Sequence, residues 1–178
     1  MVRLESDIIV CSETWLTSDD FETFGPYAAH LNNVGPGKGV AILFKNGMFQ
    51  HIVDIKEDRM QITKMRSKRL DIIAMYRSSN ASLTMVLDHL ESVLTQDRTT
   101  IICGDFNLCY IETRSNKITK WLEENGFRQL VREATHIRGR LIDHFYIREN
   151  ETDNVEPSVY RYSPYYSDHD AICTTIKF

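Results

Sequence analysis

The residues of this sequence that could do chemistry stand at the ends of apolar runs, and the clearest set is Gly104-Asp105-Phe106-Asn107. The apolar run before it, bounded by turn residues, predicts a buried strand. Side chains alternate along extended backbone, so Asp105 and Asn107 are expected to point the same way. A carboxylate can hold a cation or accept a proton, and a carboxamide can donate to a phosphoryl oxygen. The same residue types also make ordinary turns after glycine, so both interpretations stay open.

Two further strand ends carry polar side chains of related kinds. Glu13 follows the apolar run 7–11, at the carboxyl end of a predicted strand, where open α/β sheets bind their ligands. Tyr76 and Arg77 end the strand that begins at Leu70, and a phenol and a guanidinium can both donate to a phosphate. The alternatives are a solvated loop carboxylate for Glu13 and a phenol that covers the core for Tyr76.

The last third of the chain holds a carboxylate inside an apolar run and an imidazole between two acids. Asp143 interrupts the predicted strand 141–147, and a buried carboxylate is costly unless hydrogen bonds or a cation stabilise it. Alternation places His144 on the opposite face, so Asp143 is the candidate site residue. His169 is flanked by two aspartates, and a carboxylate could hold its tautomer for a general base or a phosphate-binding group. A surface turn is the alternative.

The elements that must position these residues are mostly strands. Apolar or strand-like runs predict strands near 7–11, 40–44, 49–55, 59–65, 69–75, 101–107, 141–147, 155–162 and 171–176. Apolar residues at helical spacing predict a helix over 82–94, and a second helix is predicted over about 116–125. Residues 17–33 are predicted to form a loop and residues 35–39 a hairpin turn. A basic cluster at a predicted turn is either solvated or in contact with a phosphate backbone; its members are Lys64, Arg66, Lys68 and Arg69.

The composition narrows the class of protein. With 178 residues, of which 42% are hydrophobic and 26% charged, the chain is expected to form one domain over 1–178 with a sizeable core. The formal net charge of −4 gives no global basic field, so a nucleic-acid partner must be bound by local patches. The four cysteines show no CxxC spacing, which argues against a zinc site and is typical of a reduced, intracellular protein. No secretory signal or membrane-length apolar run is visible.

The short motifs also have a recognisable order along the chain. They are SETWL at 12–16, GKGVAI at 37–42, YRSSN at 76–80, GDFN at 104–107, ATHIRGRLIDH at 134–144 and SDHDAI at 167–172. This order resembles the endonuclease/exonuclease/phosphatase superfamily of metal-dependent phosphoesterases. The motif sequences are most similar to the apurinic-type endonuclease domain of non-LTR (LINE-like) retrotransposons of the jockey and CR1 groups, and the resemblance covers essentially the whole chain.

The resemblance implies a four-layer α/β sandwich, with two mixed β-sheets packed face to face and helices outside. It implies one or two Mg²⁺ or Mn²⁺ ions and a water that cleaves a phosphodiester, as in the nicking of target DNA for retrotransposition. The resemblance implies that Glu13 and Asp168 bind the metal and that Tyr76 binds the phosphate. It implies that Asp105 activates the water and that Asn107 supports the attack. His169 would donate a hydrogen bond to the phosphate or act as the base, and Asp143 would orient it. Arg77, Arg114 and Arg138 are expected to contact the substrate.

The resemblance also implies an element that this sequence lacks. Family members begin with a strand that ends in an Asn-containing turn, followed by a helix, before the segment equivalent to residues 7–11. The fold is therefore expected to be N-terminally truncated. Three explanations stay open: the chain is a fragment, a partner supplies the strand, or the element has decayed or been repurposed. A catalytically impaired remnant or interaction module and a phosphatase of the same superfamily stay as alternatives. DNA is the expected partner, with a downstream reverse transcriptase domain in the parent element, no membrane, and action in the nucleus.

Overall fold

The described strands build two large sheets that face each other and a separate two-stranded sheet. The computed structural model describes residues 6–16, 23–45, 47–112, 116–149, 156–164 and 166–177. Within these ranges, the first sheet consists of β1 (Ile8–Ser12), β2 (Thr23–Phe24), β3 (Tyr27–Asn32) and β4 (Val40–Lys45) in the order β1-β4-β3-β2. All of its pairings are antiparallel.

The second sheet has six strands and a mixed pairing. It consists of β5 (Gln50–Glu57), β6 (Met60–Arg66), β7 (Leu70–Arg77), β8 (Thr99–Asp105), β9 (Arg128–Gln129) and β10 (Asp143–Arg148) in the order β5-β6-β7-β8-β10-β9. Only β7 and β8 pair in parallel among the described strands, and the connection between them contains α1 (Leu83–Val93). A second helix, α2 (Lys117–Glu124), precedes β9, and β11 (Glu156–Tyr162) pairs with β12 (Ala171–Lys177) antiparallel.

Side-chain alternation along β7 explains why the six-stranded sheet is buried on both faces. Ile73 and Met75 pack with α1 and α2 on one face, whereas Ala74 and Tyr76 pack against Val40 and Ile42 of the four-stranded sheet on the other. Each helix begins at a capping side chain. Ser82 accepts a hydrogen bond from the first turn of α1, and Asn116 accepts two from the first turn of α2.

The predicted α/β sandwich with helices outside is confirmed. The four-stranded sheet is antiparallel rather than mixed among its described strands, and both described helices cover the six-stranded sheet. The predicted loop over 17–33 was wrong in part, because β2 and β3 lie within it. No helix in the described part of the chain is long and apolar enough to cross a bilayer.

The strand β3 was missed because its one buried position is polar. Asn32 is fully buried, and its carboxamide donates to the carbonyls of Ile55 and Ile62 and to the hydroxyl of Thr63 on the opposite sheet. A buried carboxamide is tolerated when partners of this kind satisfy its donors. The periodicity of apolar residues, which is the main sequence signal for a strand, is therefore absent from this segment.

The predicted basic cluster divides into two parts. Lys68 and Arg69 are exposed, but Lys64 is only 2% exposed and binds the fully buried Asp71. The Asp71 carboxylate lies 3.1 Å from Lys64 Nζ, 2.8 Å from Arg66 and 2.9 Å from Arg98. Lys64 and Arg66 are therefore part of a structural ion cluster, which neither of the two sequence interpretations anticipated.

Gly104 lies on β8 against the backbone of Met75 on β7, where there is no room for a Cβ. Gly104→Ala is therefore expected to destabilise the fold strongly. Its φ is +133°, and an added Cβ would lie 1.9 Å from the carbonyl oxygen of Met75. We expect a loss of about 3 kcal/mol or more, because strain and a backbone overlap add together. Urea unfolding would measure it. The control is Gly25→Ala, at φ +59° with nothing within 4 Å of the added Cβ, and an equal loss in both variants would contradict the overlap argument.

Candidate active site

Three neighbouring strands place Tyr76, Asp105 and Asp143 in one row. The register pairs Tyr76 with Asp105 across β7 and β8, and Asp105 with Asp143 across β8 and β10. Paired residues on adjacent strands project to the same face of a sheet, and the strands lie about 4.8 Å apart. Tyr76 packs against Val40 and Ile42 of the four-stranded sheet, so the row faces the interface between the two sheets.

The end of β1 meets this row from the opposite sheet. The hydroxyl of Ser12 accepts a hydrogen bond from the backbone N–H of Asp105 at 3.3 Å, and the Glu13 carboxylate accepts one from the Tyr76 hydroxyl. Burial, the charges of Glu13 and Asp105, and this hydrogen bond raise the pKa of Tyr76 to about 12. Tyr76 is therefore a neutral hydrogen-bond donor at neutral pH.

Asn107 folds back onto Asp105. Its backbone N–H donates to Asp105 Oδ1 at 2.8 Å, and its carboxamide donates to Asp105 Oδ2 at 2.9 Å. The two side chains were predicted to meet by strand alternation, and this reason was wrong. The strand ends at Asp105, and Asn107 has a left-handed backbone with φ +47°, a conformation that asparagine tolerates in turns. Glu13, at φ +51°, is a second non-glycine residue of this kind at the site, and such strain is often concentrated at functional sites.

His169 is held on Asp143 by a close contact. Its Nδ1 lies 3.0 and 2.9 Å from the two carboxylate oxygens of Asp143. Thr135 donates its hydroxyl to Asp143 Oδ2 at 2.6 Å and accepts the backbone N–H of Asp143 at 3.1 Å. Thr135 thereby fixes the Asp143 carboxylate, and this carboxylate in turn fixes the His169 imidazole. Since Nδ1 is engaged, Nε2 is the ring nitrogen that remains for a substrate.

The charges at the site favour a bound cation. Burial and then the charge of Asp143 raise the pKa of Asp105 to about 7, because two carboxylates close together disfavour each other's ionised form. One ligand atom from each of Asp105, Asp143 and His169 lies within 4.8 Å of the others. The Glu13 carboxylate lies close enough to contribute to the raised pKa of Asp105. Carboxylate oxygens crowded in this way are the ligands that Mg²⁺ and Mn²⁺ prefer.

His136 belongs to the site although sequence reasoning did not select it. Its Nε2 lies 3.3 Å from Asp168 Oδ2, and its ring meets the edge of the His169 ring at 4.9 Å between centroids. A backbone bridge joins His136 to His169. Asp168, predicted to bind metal, is therefore paired with His136, and the three residues form a second group of potential ligands beside the first. No sequence spacing could have joined two segments 33 residues apart.

The three arginines that were predicted to contact the substrate differ in where they lie. Arg77 is 4% exposed, and its guanidinium donates to the carbonyls of Phe106 at 2.9 Å and Ala81 at 2.9 Å. This placement argues against a direct contact with substrate and shows that Arg77 supports the backbone behind Asn107. Arg138 is exposed, and its backbone N–H donates to His136 Nδ1. Arg114 lies outside the described residues.

Exposed apolar side chains surround these groups. Trp15, two residues after Glu13, is 70% exposed, and its indole lies over Gly37. Ile137 is 81% exposed, and its backbone N–H donates to the Asp168 carbonyl at 2.9 Å. Large exposed apolar side chains beside a polar site are typical of a surface that contacts a ligand.

The contact between His169 and Asp143 predicts a strongly shifted titration. The hydrogen bond that His169 donates to the Asp143 carboxylate raises the pKa of His169 to about 9 in the metal-free protein, although burial opposes this. The raised pKa means that the contact stabilises the fold fully below about pH 6.5 and that this contribution is lost as the pH rises through 9. NMR titration of the imidazole in EDTA would measure the value. In Asp143→Asn we expect the pKa to fall towards 6.5, and an unchanged value there would contradict this cause.

Comparison with known families gives one match. A family model described as endonuclease-reverse transcriptase matches residues 70–173 of the chain. These residues include β7, β8 and β10, and so they carry the row from Tyr76 to Asp143, together with His136 and His169. No curated protein sequence matches the chain.

Several solved structures share the fold. The chain is similar to an AP endonuclease from Archaeoglobus fulgidus, with a TM-score of 0.75 and 14% identity over 97% of this chain and 89% of that one. It is similar to the 3′ phosphatase NExo from Neisseria bound to a product DNA hairpin, with a TM-score of 0.69 and 15% identity over 97% and 89%. The endonuclease domain of TRAS1, a telomere-specific non-LTR retrotransposon, gives a TM-score of 0.61 and 15% identity over 95% and 78%.

Proposed function

Because the chain belongs to the endonuclease-reverse transcriptase family, within the endonuclease/exonuclease/phosphatase superfamily, we propose that it is a metal-dependent phosphodiesterase that nicks DNA. The observation that carries the proposal is the contact of His169 with Asp143 beside Asp105. Together with Tyr76 and Glu13, these groups place an acid, a base and a hydrogen-bond donor for a phosphate side by side.

The residues present fit a hard divalent cation, Mg²⁺ or Mn²⁺. Glu13 and Asp105 offer carboxylate oxygens, and burial and the charge of Asp143 raise the pKa of Asp105, so a cation beside these carboxylates would stabilise their ionised forms. Glu13 would hold the ion, with Asp105 beside it and Asp168 assisting. When bound, the ion would supply Lewis-acid stabilisation of the charge that develops on the phosphoryl oxygens.

The side chains divide the remaining work. His169, protonated at neutral pH through its contact with Asp143, donates from Nε2 to a phosphoryl oxygen, and the Tyr76 hydroxyl donates to another. Asp105 accepts the proton of the water whose oxygen bonds to phosphorus, while the P–O bond to the leaving oxygen breaks. Asn107 fixes the Asp105 carboxylate through its two hydrogen bonds. By the resemblance of the chain to its superfamily, we expect the cleavage to leave a 3′-hydroxyl and a 5′-phosphate.

The surroundings of the site favour DNA over a small phosphomonoester. Trp15 and Ile137 are exposed beside the catalytic groups, and flat or apolar side chains of this kind can contact bases. Arg138 adds an exposed cation for the phosphate backbone. The retrotransposon-like motifs support the nicking of target DNA for retrotransposition, in the nucleus, with a reverse transcriptase domain as the partner in the parent element.

The proposal predicts nicking of supercoiled plasmid. With Mg²⁺ we expect open circular product, because a water activated at Asp105 would cleave one strand, and EDTA should stop the reaction. Agarose electrophoresis measures it. A phosphatase, the activity named for the Neisseria structure of the same fold, would instead release phosphate from a 3′-phosphorylated oligonucleotide and leave the plasmid supercoiled. A folded protein that does neither would be a remnant or an interaction module, and the nuclease proposal would fail.

A further inference from the structure

A second cluster of metal-ligating side chains lies at the edge where the two sheets meet. His30 on β3 points Nε2 at Asp54 on β5, 2.8 Å from its Oδ2, and His51 on β5 places Nε2 3.3 Å from the Oδ1 of the same carboxylate. These three ligand atoms all lie within 4.8 Å of one another. We propose that His30, His51 and Asp54 form a zinc site that ties the four-stranded sheet to the six-stranded sheet.

A bulge in β5 brings two of the ligands together. His51 and Asp54 are three residues apart, and regular alternation would place them on opposite faces of the strand. The register of β5 against β6 shifts between His51 and Val53, so the alternation changes phase between the two ligands. Bulges re-aim side chains in this way and are often found beside sites. Both side chains consequently face His30 on the other sheet.

The geometry is close to that of a bound zinc ion. Zinc holds histidine nitrogen and carboxylate oxygen at about 2.0–2.1 Å, which in a tetrahedron puts neighbouring ligand atoms roughly 3.4 Å apart. His30 Nε2 lies 2.8 Å from Oδ2 of Asp54 and His51 Nε2 lies 3.3 Å from Oδ1, so each imidazole is already near this separation from one oxygen of the shared carboxylate. Two imidazoles select a borderline metal over Mg²⁺. The His51 side chain is 40% exposed, so an ion can enter and a water can complete the coordination.

A buried network orients the carboxylate. Thr63 donates its hydroxyl to Asp54 Oδ1 at 2.7 Å, and Asn32 donates to the Thr63 hydroxyl at 3.1 Å. Thr63 and Asn32 are both fully buried. Hydrogen bonds that fix a carboxylate from behind are typical of metal sites, because they hold the ligand in the geometry that the ion needs. The same network occupies the interior of the sandwich at the point where the two sheets join.

This cluster is separate from the candidate active site. Asp54 lies on β5 and Asp105 on β8, three strand positions away in the sheet, which corresponds to roughly 14 Å. The two sites share no residue among the described ligand groups. The cysteine spacing argued against a zinc site, but that inference could not detect histidines from two different sheets.

Zinc binding by the tag-free protein tests the proposal. His169→Ala serves as the background, because His169 is a member of both ligand groups at the candidate active site. In this background we expect one Zn²⁺ per chain by calorimetry, a rise in Tm with Zn²⁺, and Co²⁺ absorption bands of a low-coordinate site. Adding His51→Ala should weaken Zn²⁺ binding at least a hundredfold and remove the rise in Tm. Adding His89→Ala, at a half-buried histidine on α1 whose ring lies 3.6 Å from Glu57, should leave both unchanged.

A second substitution guards against a folding defect. Asp54→Asn keeps the size of the side chain and can still accept the hydrogen bond from Thr63, yet it removes the charged ligand. With circular dichroism showing a native fold, we expect the same loss of Zn²⁺ binding as in His51→Ala. Binding of Zn²⁺ with unchanged affinity and stoichiometry in both variants would overturn the proposal, as would the absence of binding in the His169→Ala background. In either case the two histidines would be hydrogen-bonding partners of Asp54 alone.

Discussion

Replacing His169 by alanine is expected to lower the rate of Mg²⁺-dependent nicking by about a thousandfold, within the range for the loss of one positioned acid or oxyanion donor. The substitution removes the imidazolium that Asp143 holds at 2.9 Å. It leaves the sheet intact, because the His169 side chain is 25% exposed and lies after the last turn before β12. Single-turnover nicking would measure the rate, and circular dichroism would show that the variant keeps the native fold.

Asp143→Asn separates positioning from direct contact with the substrate. The carboxamide can still accept the Thr135 hydroxyl, but it loses the charge that keeps the imidazole protonated. We expect a loss of about a hundredfold. The double variant should lose little more than His169→Ala alone, because the effects of residues that act as one unit are not additive. His89→Ala is the matched control for losing a histidine elsewhere. Wild-type nicking by His169→Ala would remove the imidazole from the mechanism.

The row of Tyr76, Asp105 and Asp143 could be predicted in part, because strand periodicity decides which side chains share a face of the sheet. Asp143 was selected over His144 by alternation, and His144 is buried on the other face, stacked on Phe106 with 4.4 Å between ring centroids. The same rule, applied to Tyr76 and Arg77, would have shown that adjacent residues of one strand cannot both face the site. Arg77 faces the helices' side of the sheet and donates to backbone carbonyls there.

The parts that sequence reasoning missed depend on contacts between distant segments. His136 joins the site only because a loop after residue 134 pairs with the segment before β12. Thr135 matters only because its hydroxyl reaches Asp143, and Ser12 because the end of β1 meets the end of β8. None of these contacts leaves a periodic or local signal. They are fixed by how the two sheets face each other, which periodicity within one strand does not determine.

The largest effect on stability is expected from Asp71→Asn. Asp71 is fully buried and contacts three cations, Lys64, Arg66 and Arg98. The substitution leaves the three positive charges without the carboxylate that compensates them. Breaking a buried ion cluster by removing one partner costs about 3–5 kcal/mol, because the buried ammonium of Lys64, whose side chain is only 3% exposed, is left desolvated and uncompensated. Urea unfolding at pH 7 would measure the loss in the free energy of unfolding.

The pH dependence of the same residue gives an independent test. Burial raises the pKa of Asp71, but hydrogen bonds from Arg66, Lys64 and Arg98 outweigh it and lower the pKa from 3.8 to about 2. A carboxyl group with a lowered pKa stabilises the fold above its unfolded value, and this contribution is lost as the pH falls from about 4 towards 2. This lowering of the pKa corresponds to roughly 2 kcal/mol of stability. Asp71→Asn should therefore flatten the acid limb of the stability curve over that window.

An exposed ion pair supplies the control that makes the argument specific to burial. Asp58 contacts Lys38 at 2.8 Å, as close as Asp71 contacts Arg66, but its side chain is 80% exposed. Asp58→Asn removes the same charge at the same distance from a cation while water still solvates the partner, so little change in stability is expected. If both variants lost equal stability, the distance between charges would decide the effect. If Asp71→Asn alone unfolds at lower urea concentration, desolvation decides it, and the cluster is a structural anchor of the six-stranded sheet.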